Sequence, residues 1–433
     1  MCNCKKVERK MGIRVPNRVC ILFVLMSFLC ICTACEKKPI GGVNLEGVDI
    51  EEITSNETIV DAAADNDDAE VDETEAPDPN SFEGMEGVSI ISVGDNIYHD
   101  NIIDSGVMED GSYNYEHIYS KISSEIQAAD ISIVNQETVF CPEGSTPKGY
   151  PVFLTPNEAG DAMVKAGFDV FLMASNHTAD NGKDAILHSI NLLKGFEGID
   201  YVGINENKED EDILKIIEQD GIKIALLNYT ELTNKALGNS DKYMLNRMTE
   251  SRLKKDIKAA KEQADIVMVF PHWGTEYTHN VNSKQKNWTK VMSEAGADIV
   301  IGTHPHVIQP VEWVQSSTGH NTLVYYSLGN FVSRQIEGPR LLGGMAKIVL
   351  KKTDEGVKIG YASVVPLMMH YDQYPSLNTA IYRLEDYNEE LAATHGVQYY
   401  ESQGTYSHES ILNLSNEIFG SASEIQIPFP EGY

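Results

Sequence analysis

The chain has 433 residues, of which 42% are hydrophobic and 23% are charged, so it is long enough for a large core plus additional segments. Lys and Arg number 34 against 65 Asp and Glu, which gives a net charge of −31. A chain this acidic is poorly suited to bind the phosphate backbone of nucleic acid, and we expect no nucleic-acid partner.

The amino terminus is predicted to be an export signal. Basic residues precede the apolar run 19–34, "VCILFVLMSFLCICTA", which is shorter than the ~20 residues of a membrane-spanning helix. The segment "CTAC" (residues 32–35) resembles the lipobox of bacterial lipoproteins, although Cys32 stands where that pattern usually has leucine. We predict a lipoprotein-type signal peptide at residues 1–35, lipidation at Cys35 and a location outside the cytoplasm, on the cell membrane. Plain secretion and an uncleaved anchor are the alternatives.

Residues 36–86 are predicted to be a disordered acidic linker. They contain 17 Asp and Glu against two Lys and show no hydrophobic periodicity. Such a segment cannot bury enough apolar surface to fold, so it is expected to behave as an extended tether.

From residue 87 the sequence is predicted to alternate strands and helices. Short apolar runs end in polar residues within 88–95, 129–137, 167–177, 264–274 and 297–306, as in strands that are covered on both faces. Helical spacing marks the segments 115–127, 184–195, 249–263 and 283–295. This alternation predicts an α/β fold.

Antiparallel strands are predicted after this alternating region. Two hairpins are expected, within residues 311–330 and 345–365. Further helices are expected around 383–394 and 408–418. We therefore predict one domain at residues 87–367 and a C-terminal extension packed on it at residues 368–433.

Polar side chains stand at the ends of five of the predicted strands. Ligands gather at the carboxyl ends of strands in α/β sheets. Each residue alone has a structural explanation, such as a helix cap, a turn residue or a solvated loop histidine. Together they predict a site for a divalent metal, one or two ions of Mn, Zn or Fe, because carboxylate, amide and imidazole groups suit these ions. The residues are Asp95, Asn135, Glu137, Asn176, His177, His272, His304 and His306.

These residues fall within ordered motif blocks. The blocks are Gly94–Asp95, Asn135–Glu137, Ser175–Gly182, His272–Glu276, Gly302–His306 and Tyr326–Phe331. As an ordered set, over roughly residues 88–365, they resemble the bacterial capsule-synthesis protein CapA family, which is linked to poly-γ-glutamate capsules. That family is in turn similar to the calcineurin-like metallophosphoesterases.

The resemblance implies a layered, metallophosphoesterase-like α/β sandwich with antiparallel strands added after the site. It also implies roles for particular residues. Glu137 would stand near the position of a bridging carboxylate, and His177 would be a catalytic histidine that does not bind metal. We further expect Asn135, Glu276 and Asn330 to support the ligands or to contact substrate. The implied metal ligands are Asp95, Glu137, Asn176, His272, His304 and His306.

One position departs from the metallophosphoesterase pattern. Those enzymes begin with Asp-x-His, whereas Ile97 stands two residues after Asp95. The first metal position therefore lacks its imidazole. Three alternatives follow: Glu137 compensates, only one metal site is filled, or the metal is structural.

Two classes of function remain open. The first is a surface-anchored protein for capsule polymer biosynthesis that carries a metal-dependent, phosphoesterase-like hydrolase site. The second is a non-catalytic accessory lipoprotein for export, anchoring or length control of an anionic capsule polymer. Both imply three partners: the capsule polymer or its precursor, the capsule synthesis machinery in the membrane, and the membrane itself through the lipid anchor.

Overall fold

A computed structural model describes residue 82 and residues 84–372, 378–400 and 406–433. The predicted signal peptide, the predicted lipidation at Cys35 and most of the predicted linker lie outside the described residues. No helix in the described part of the chain is long and apolar enough to cross a membrane.

The described residues form two β-sheets and helices that cover them. The strands are β1 (Val88–Asn96), β2 (Ile131–Gln136), β3 (Val170–Leu172), β4 (Asp200–Val202), β5 (Lys215–Gln219), β6 (Ile222–Thr230), β7 (Ile266–His272), β8 (Ile299–Ile301), β9 (Ile308–Gln315), β10 (Asn321–Leu328), β11 (Asn330–Val332), β12 (Leu342–Thr353), β13 (Gly356–Tyr371), β14 (Thr379–Arg383) and β15 (Ile425–Gln426). The helices are α1 (Asp100–Ser105), α2 (Glu116–Tyr119), α3 (Ser123–Gln127), α4 (Asn157–Ala166), α5 (Gly182–Lys194), α6 (Glu250–Lys261), α7 (Ser283–Ala295), α8 (Glu389–Thr394) and α9 (His408–Ile418).

The two sheets differ in strand direction. The first has the order β14-β13-β12-β1-β2-β3-β4, with β11 also paired to β1 and β15 to β13. Strands β1 to β4 are parallel, whereas β12, β13 and β14 are antiparallel to their neighbours. The second sheet has the order β5-β6-β7-β8-β10-β9, with a parallel centre and an antiparallel hairpin at each edge.

Alternation of side chains along the strands builds the layers. In β1, Ile90 points into the core between the two sheets, whereas Ile91 belongs to the core beneath the outer helices. In β7, Met268 faces the first sheet, whereas Val269 packs with residues of α6. The predicted fold class, an α/β sandwich with antiparallel strands after the site, is confirmed.

Helices α6 and α7 begin and end where local sequence signals favour it. The side chain of Thr249 caps α6 by accepting a hydrogen bond from the Arg252 amide. Asn282 and Gln285 form a reciprocal capping box at the start of α7, and Gly296 ends that helix with a φ of 100°. These helices cover the second sheet on the side away from the first.

The structure adds elements that the sequence analysis did not predict. The hairpin β5–β6 and helix α4 were not anticipated, and the helical segment 115–127 divides into the two short helices α2 and α3. The polar strand ends also come from two sheets: β1 to β3 belong to the first, and β7 and β8 to the second. The candidate site therefore lies where corresponding ends of the two sheets meet.

Candidate metal centre

Asp95 lies near the end of β1, where the chain passes close to a neighbouring turn. A Cβ atom on Gly94 would lie 2.0 Å from the carbonyl oxygen of Gly329, so only glycine fits there. The Asp95 amide donates a hydrogen bond of 2.9 Å to the same oxygen. The glycine of the Gly94–Asp95 motif thus allows β1 to place a fully buried carboxylate at the sheet end.

The next two strands of the first sheet contribute carboxylate and amide groups. The Asn135 side chain donates to Asp95 Oδ1 at 2.8 Å. Glu137 follows β2 directly and is fully buried, and its backbone carbonyl accepts a hydrogen bond from the Ser175 hydroxyl. Asn176 follows β3 and is 3% exposed.

His272 ends β7 and joins the two sheets at this point. Its Nε2 atom lies 2.8 Å from Asn176 Oδ1, which belongs to the first sheet. Its Nδ1 atom lies 2.9 Å from the Thr303 hydroxyl, which follows β8. The threonine fixes the orientation of the ring and leaves Nε2 directed at the centre.

The segment His304–Pro305–His306 forms a strained turn after β8. His304 has a φ of 95° and His306 a φ of 56°, in the left-handed region that residues with a Cβ rarely occupy. The His304 amide points at the Asp95 carboxylate, with distances of 3.1 and 3.2 Å to its two oxygens. Backbone strain of this kind is concentrated at functional sites in proteins.

Glu137 lies at the centre of the cluster. Its Oε1 atom is 3.7 Å from His272 Nε2 and 3.8 Å from His306 Nε2. His306 Nδ1 lies 3.1 Å from Asp95 Oδ2. The possible ligand atoms of Glu137, His304 and His306 lie within 4.8 Å of one another, as do those of Asp95, Glu137 and His272.

The donor set fits a divalent cation. Among the possible metal ligands in the described part of the chain, both carboxylate oxygens of Glu137 and the Nδ1 atom of His304 are buried and have no hydrogen-bond partner. Buried polar atoms without partners are costly and rare, and three in one cluster require an explanation. A cation bound by carboxylate oxygen and imidazole nitrogen would satisfy all three atoms.

The electrostatics of the cluster are those of a buried site rich in carboxylates. Burial raises the pKa of Glu137 well above its ordinary value. Burial, and then the charge of His306, lowers the pKa of His304 to about 4. Burial also opposes protonation of His306, but the attraction of Glu137 and Asp95 outweighs it and raises the pKa of His306 to about 10. One positive charge is thus strongly favoured beside these two carboxylates.

His177 lies next to this cluster and contacts a carboxylate of its own. Its Nδ1 atom is 2.6 Å from Asp180 Oδ2 and 3.2 Å from the Asn234 side-chain amide. The edge of Phe153 packs against its ring, with 4.8 Å between the centroids. The His177 side chain is 11% exposed, so it borders the cluster and still reaches solvent.

The three residues that were expected to support the ligands or contact substrate differ in position. Asn135 bonds Asp95, and Asn330 places its Oδ1 atom 3.0 Å from His306 Nδ1. Glu276 is exposed and forms no hydrogen bond to an imidazole in the described part of the chain. Its role stays a prediction, as do the roles assigned to all the site residues.

Sequence reasoning missed residues around the same centre. Thr303 precedes the His304–Pro305–His306 turn, yet a hydroxyl there gives no motif signal. The ring of Tyr277 stacks on that of His306 at 5.9 Å and 29°. His99 follows β1, and burial, together with the charge of His306, lowers its pKa to about 4. Only its position four residues after Asp95 could have drawn attention to His99.

Residues 89–335 match the model of the family described as "Bacterial capsule synthesis protein PGA_cap". The chain belongs to this capsule synthesis family. The match covers every residue of the candidate centre, from Asp95 in β1 to Asn330 in β11. The family resemblance that the motif blocks indicated is therefore confirmed.

Two relatives of known name are similar over part of their length. The "Capsule biosynthesis protein CapA" of Bacillus anthracis is 34% identical over 183 residues, which are 41% of this chain and 43% of that protein. The "PGA biosynthesis protein CapA" of Bacillus subtilis (strain 168) is 32% identical over 189 residues, 42% of this chain and 47% of that protein. The chain thus matches less than half the length of these capsule synthesis proteins.

Solved structures show a partial likeness. One is a 5'-nucleotidase precursor from Thermus thermophilus, with a TM-score of 0.41 and 11% identity, covering 65% of this chain and 54% of that one. Another is the calcineurin-like phosphoesterase YfkN from Bacillus subtilis, with a TM-score of 0.36 and 13% identity, covering 76% of this chain and 96% of that one.

Proposed function

We propose that the centre is a metal-dependent hydrolytic site that acts on an anionic capsule polymer or its precursor. The observation that carries this proposal is the set of buried atoms without partners, the two oxygens of Glu137 and Nδ1 of His304. A site built only for stability would satisfy these atoms within the protein. Asp95, Glu137, Asn176, His272, His304 and His306 would hold the metal, one or two ions of Mn, Zn or Fe.

A divalent cation held here would supply a water molecule of lowered pKa and would polarise the bond under attack. The chain contributes the fixed geometry. Thr303 orients His272 and Asn330 orients His306 through their Nδ1 atoms. Because these contacts at Nδ1 fix both imidazole rings, the rings need little reorientation when the substrate binds.

His177 is suited to move a proton in this reaction. Asp180 holds its Nδ1 atom, which fixes the orientation of the ring and leaves Nε2 to face a substrate. From that position Nε2 would donate its proton to the leaving oxygen or nitrogen atom. Phe153 packs on the ring and limits the access of water from that side.

The polymer that we propose is of the poly-γ-glutamate type, and the site would work at the cell surface. The names of the two Bacillus relatives, which refer to capsule and PGA biosynthesis, support this substrate class. The lipobox-like segment that ends at Cys35 supports a membrane anchor. The capsule synthesis machinery in the membrane would then be the neighbouring partner.

The test combines metal analysis with hydrolysis assays on the full chain purified in detergent. Bound Mn, Zn and Fe would be measured by mass spectrometry, and hydrolysis would be followed on bis(p-nitrophenyl) phosphate and on γ-linked polyglutamate. We expect at least one equivalent of metal and cleavage of one substrate that a chelator abolishes. A chain that takes up none of these metals would contradict the proposal.

A non-catalytic accessory function is the second candidate, and Ile97 favours it. This residue is 2% exposed, and its amide bonds the Val332 carbonyl oxygen at 2.8 Å, so it offers the centre no ligand. A metal site with one imidazole fewer could hold a polymer carboxylate without cleaving the chain. Metal uptake and polymer binding with no hydrolysis of either substrate would favour this function.

A further inference from the structure

The loop between β11 and β12, residues 333–341, borders the candidate centre and carries two arginines. At its start, the Arg334 amide donates a hydrogen bond of 3.1 Å to His99 Nδ1. At its end, the carbonyl oxygen of Arg340 accepts a hydrogen bond of 2.7 Å from the side chain of Asn330, which also contacts His306. Both ends of the loop are thus tied to residues around the centre.

The guanidinium group of Arg334 is held by aromatic rings. Its central carbon lies 3.7 Å from the centroid of the Tyr371 ring and 5.3 Å from that of Tyr400. No Asp or Glu oxygen of the described residues lies within 4 Å of its nitrogen atoms. Cation–π contacts restrain a side chain without neutralising its charge, so the N–H donors of Arg334 remain suited to bind an anion.

The other arginine of the loop provides a contrast within nine residues. Arg340 also lies on a tyrosine, 3.6 Å from the centroid of Tyr277, and that ring stacks on His306. However, Arg340 forms an ion pair of 2.7 Å with Glu337 and a further contact with Gln335. The charge of Arg340 is therefore balanced by Glu337 inside the loop, so Arg340 is less suited than Arg334 to bind an anionic ligand.

In the described part of the chain, Arg334 and Arg247 have no carboxylate partner, and Arg247 instead donates to the carbonyl oxygen of Glu231. Asp and Glu outnumber Lys and Arg by 65 to 34, so a carboxylate partner is easily found. Two other arginines have such partners: Arg252 of helix α6 pairs with Glu211 and Asp256, and Arg383 of strand β14 pairs with Glu125 and Glu385. Arg334 stands apart from these structural ion pairs.

We propose that Arg334 binds an oxyanion of the substrate, a carboxylate or phosphate group adjacent to the group held at the metal centre. The proposal rests on the proposed function, because it gives the substrate of that site a second anionic group. Arg334 would form charge-assisted hydrogen bonds with this group, in the fork geometry that suits carboxylate and phosphate. A polymer with one carboxylate per residue, such as γ-linked polyglutamate, meets this requirement.

Binding measurements test this directly. A γ-linked glutamate decamer would be titrated calorimetrically into the full chain loaded with Mn²⁺. The control ligand is a γ-linked isoglutamine decamer, in which the free α-carboxyl groups are replaced by uncharged amides. We expect Arg334→Gln to weaken binding of the glutamate decamer by about 10- to 100-fold, as for loss of a charge-assisted hydrogen bond. Arg334→Lys should recover part of the affinity, and Arg340→Gln should change it by less than about threefold.

The same variants titrated with pyrophosphate distinguish the two sources of oxyanion. Dependence on Arg334 with pyrophosphate and not with the glutamate decamer would assign the site to a phosphate group. Equal affinities of the parent chain and Arg334→Gln for both ligands, with unchanged Mn²⁺ content and circular dichroism, would overturn the proposal.

Hydrolysis measured in parallel separates this inference from the proposed function. Decamer binding that depends on Arg334 without any turnover would support the oxyanion site and contradict the hydrolase. Turnover with no dependence of affinity on Arg334 would support the hydrolase and contradict the oxyanion site. Neither result relies on the other measurement.

Discussion

The protein buries histidines in two places, and their hydrogen bonding differs. In the C-terminal part, His395 Nε2 lies 3.0 Å from the Met369 carbonyl oxygen, and its Nδ1 accepts from the Val397 amide at 3.0 Å. His370 is similarly held between Tyr387 and Asp372. At the candidate metal centre, by contrast, Nδ1 of His304 and both oxygens of Glu137 have no hydrogen-bond partner among the described residues.

This difference teaches how a binding site is distinguished from a structural cluster. Burial does not separate them, because His395 is 0% exposed and His304 is 2% exposed. Charge does not separate them either, since burial lowers the pKa of both imidazoles. Only the unsatisfied ligand atoms indicate that something is expected to bind, and the predictions below test that distinction.

The largest effect is expected for His304→Ala. Loss of this imidazole opens the coordination sphere, so metal content should fall from at least one equivalent to near zero and hydrolysis should fall to background. Metal analysis and turnover of bis(p-nitrophenyl) phosphate measure both quantities. The control is His320→Ala, which removes a histidine that bonds the Ala297 carbonyl oxygen away from the centre. Full metal content in His304→Ala would show that the His304 atom without a hydrogen-bond partner does not mark a metal-binding site.

A smaller loss of activity is expected for His177→Ala. This side chain is proposed as a proton donor, and such groups contribute typically 10²- to 10⁴-fold to the rate. The turnover number should fall by about that factor while the metal content stays within about 20% of the parent. His188→Ala, on helix α5, is the matched control, because that histidine bonds Asn157 instead of a site residue. Joint loss of metal and activity in His177→Ala would make this residue a ligand.

The third prediction compares the free energies of unfolding of His395→Ala and His304→Ala in the metal-free chain. His395→Ala leaves a cavity and breaks two satisfied hydrogen bonds, so it should cost about 3 kcal/mol. His304→Ala also leaves a cavity, but it should cost less, because the Nδ1 atom that it removes lacks a hydrogen-bond partner among the described residues. Urea denaturation with excess chelator measures both values. A larger loss of stability in His304→Ala than in His395→Ala would contradict the view that His395 is structural and His304 belongs to a binding site.

The last prediction concerns the change of stability per pH unit that His395 causes in acid. Burial, and then His370, lowers the folded pKa of His395 to about 3, with Arg334 and Asp372 also nearby. The unfolded imidazole has a pKa of about 6.5, so below that pH only the unfolded chain takes up this proton. This histidine therefore reduces stability by about 1.4 kcal/mol per pH unit between about pH 6 and pH 4, and has no effect above about pH 7.

His395→Phe removes this titration and leaves the carboxylates to titrate in both proteins. The free energy of unfolding of the variant should therefore fall less steeply on acidification than that of the parent. Urea denaturation at pH 7, 6, 5 and 4 gives the two slopes. Parallel slopes would show that His395 is protonated in the folded protein at pH 4.

Local patterns predicted much of the fold and the residues of the centre. The apolar run before Asp95 and the run before His304 are strands because continuous hydrophobic segments suit doubly covered sheets. Their assignment to different sheets could not be predicted, since strand pairing depends on residues far apart in the sequence. The sequence gives only a weak signal for the hairpin β5–β6, because charged residues interrupt the apolar pattern of its first strand, Lys215–Gln219.

The supporting contacts of the centre were less predictable than its charged residues. The position of Glu276, four residues after His272, predicts an acceptor that orients a ligand imidazole, yet Glu276 is exposed. The hydroxyl of Thr303 lies beside His272 Nδ1 in its place, since the chain after β8 runs next to β7. Spacing in the sequence carries no information about such a contact between loops.

The division of the centre between two sheets has a mechanical consequence. Asp95 and Glu137 lie at the ends of strands of the first sheet, whereas His272 and His304 lie at the ends of strands of the second. A cation that both pairs bind would cross-link the sheets at one end, so pulling them apart would require rupture of coordination bonds. Single-molecule stretching should then show a higher rupture force with metal than with chelator.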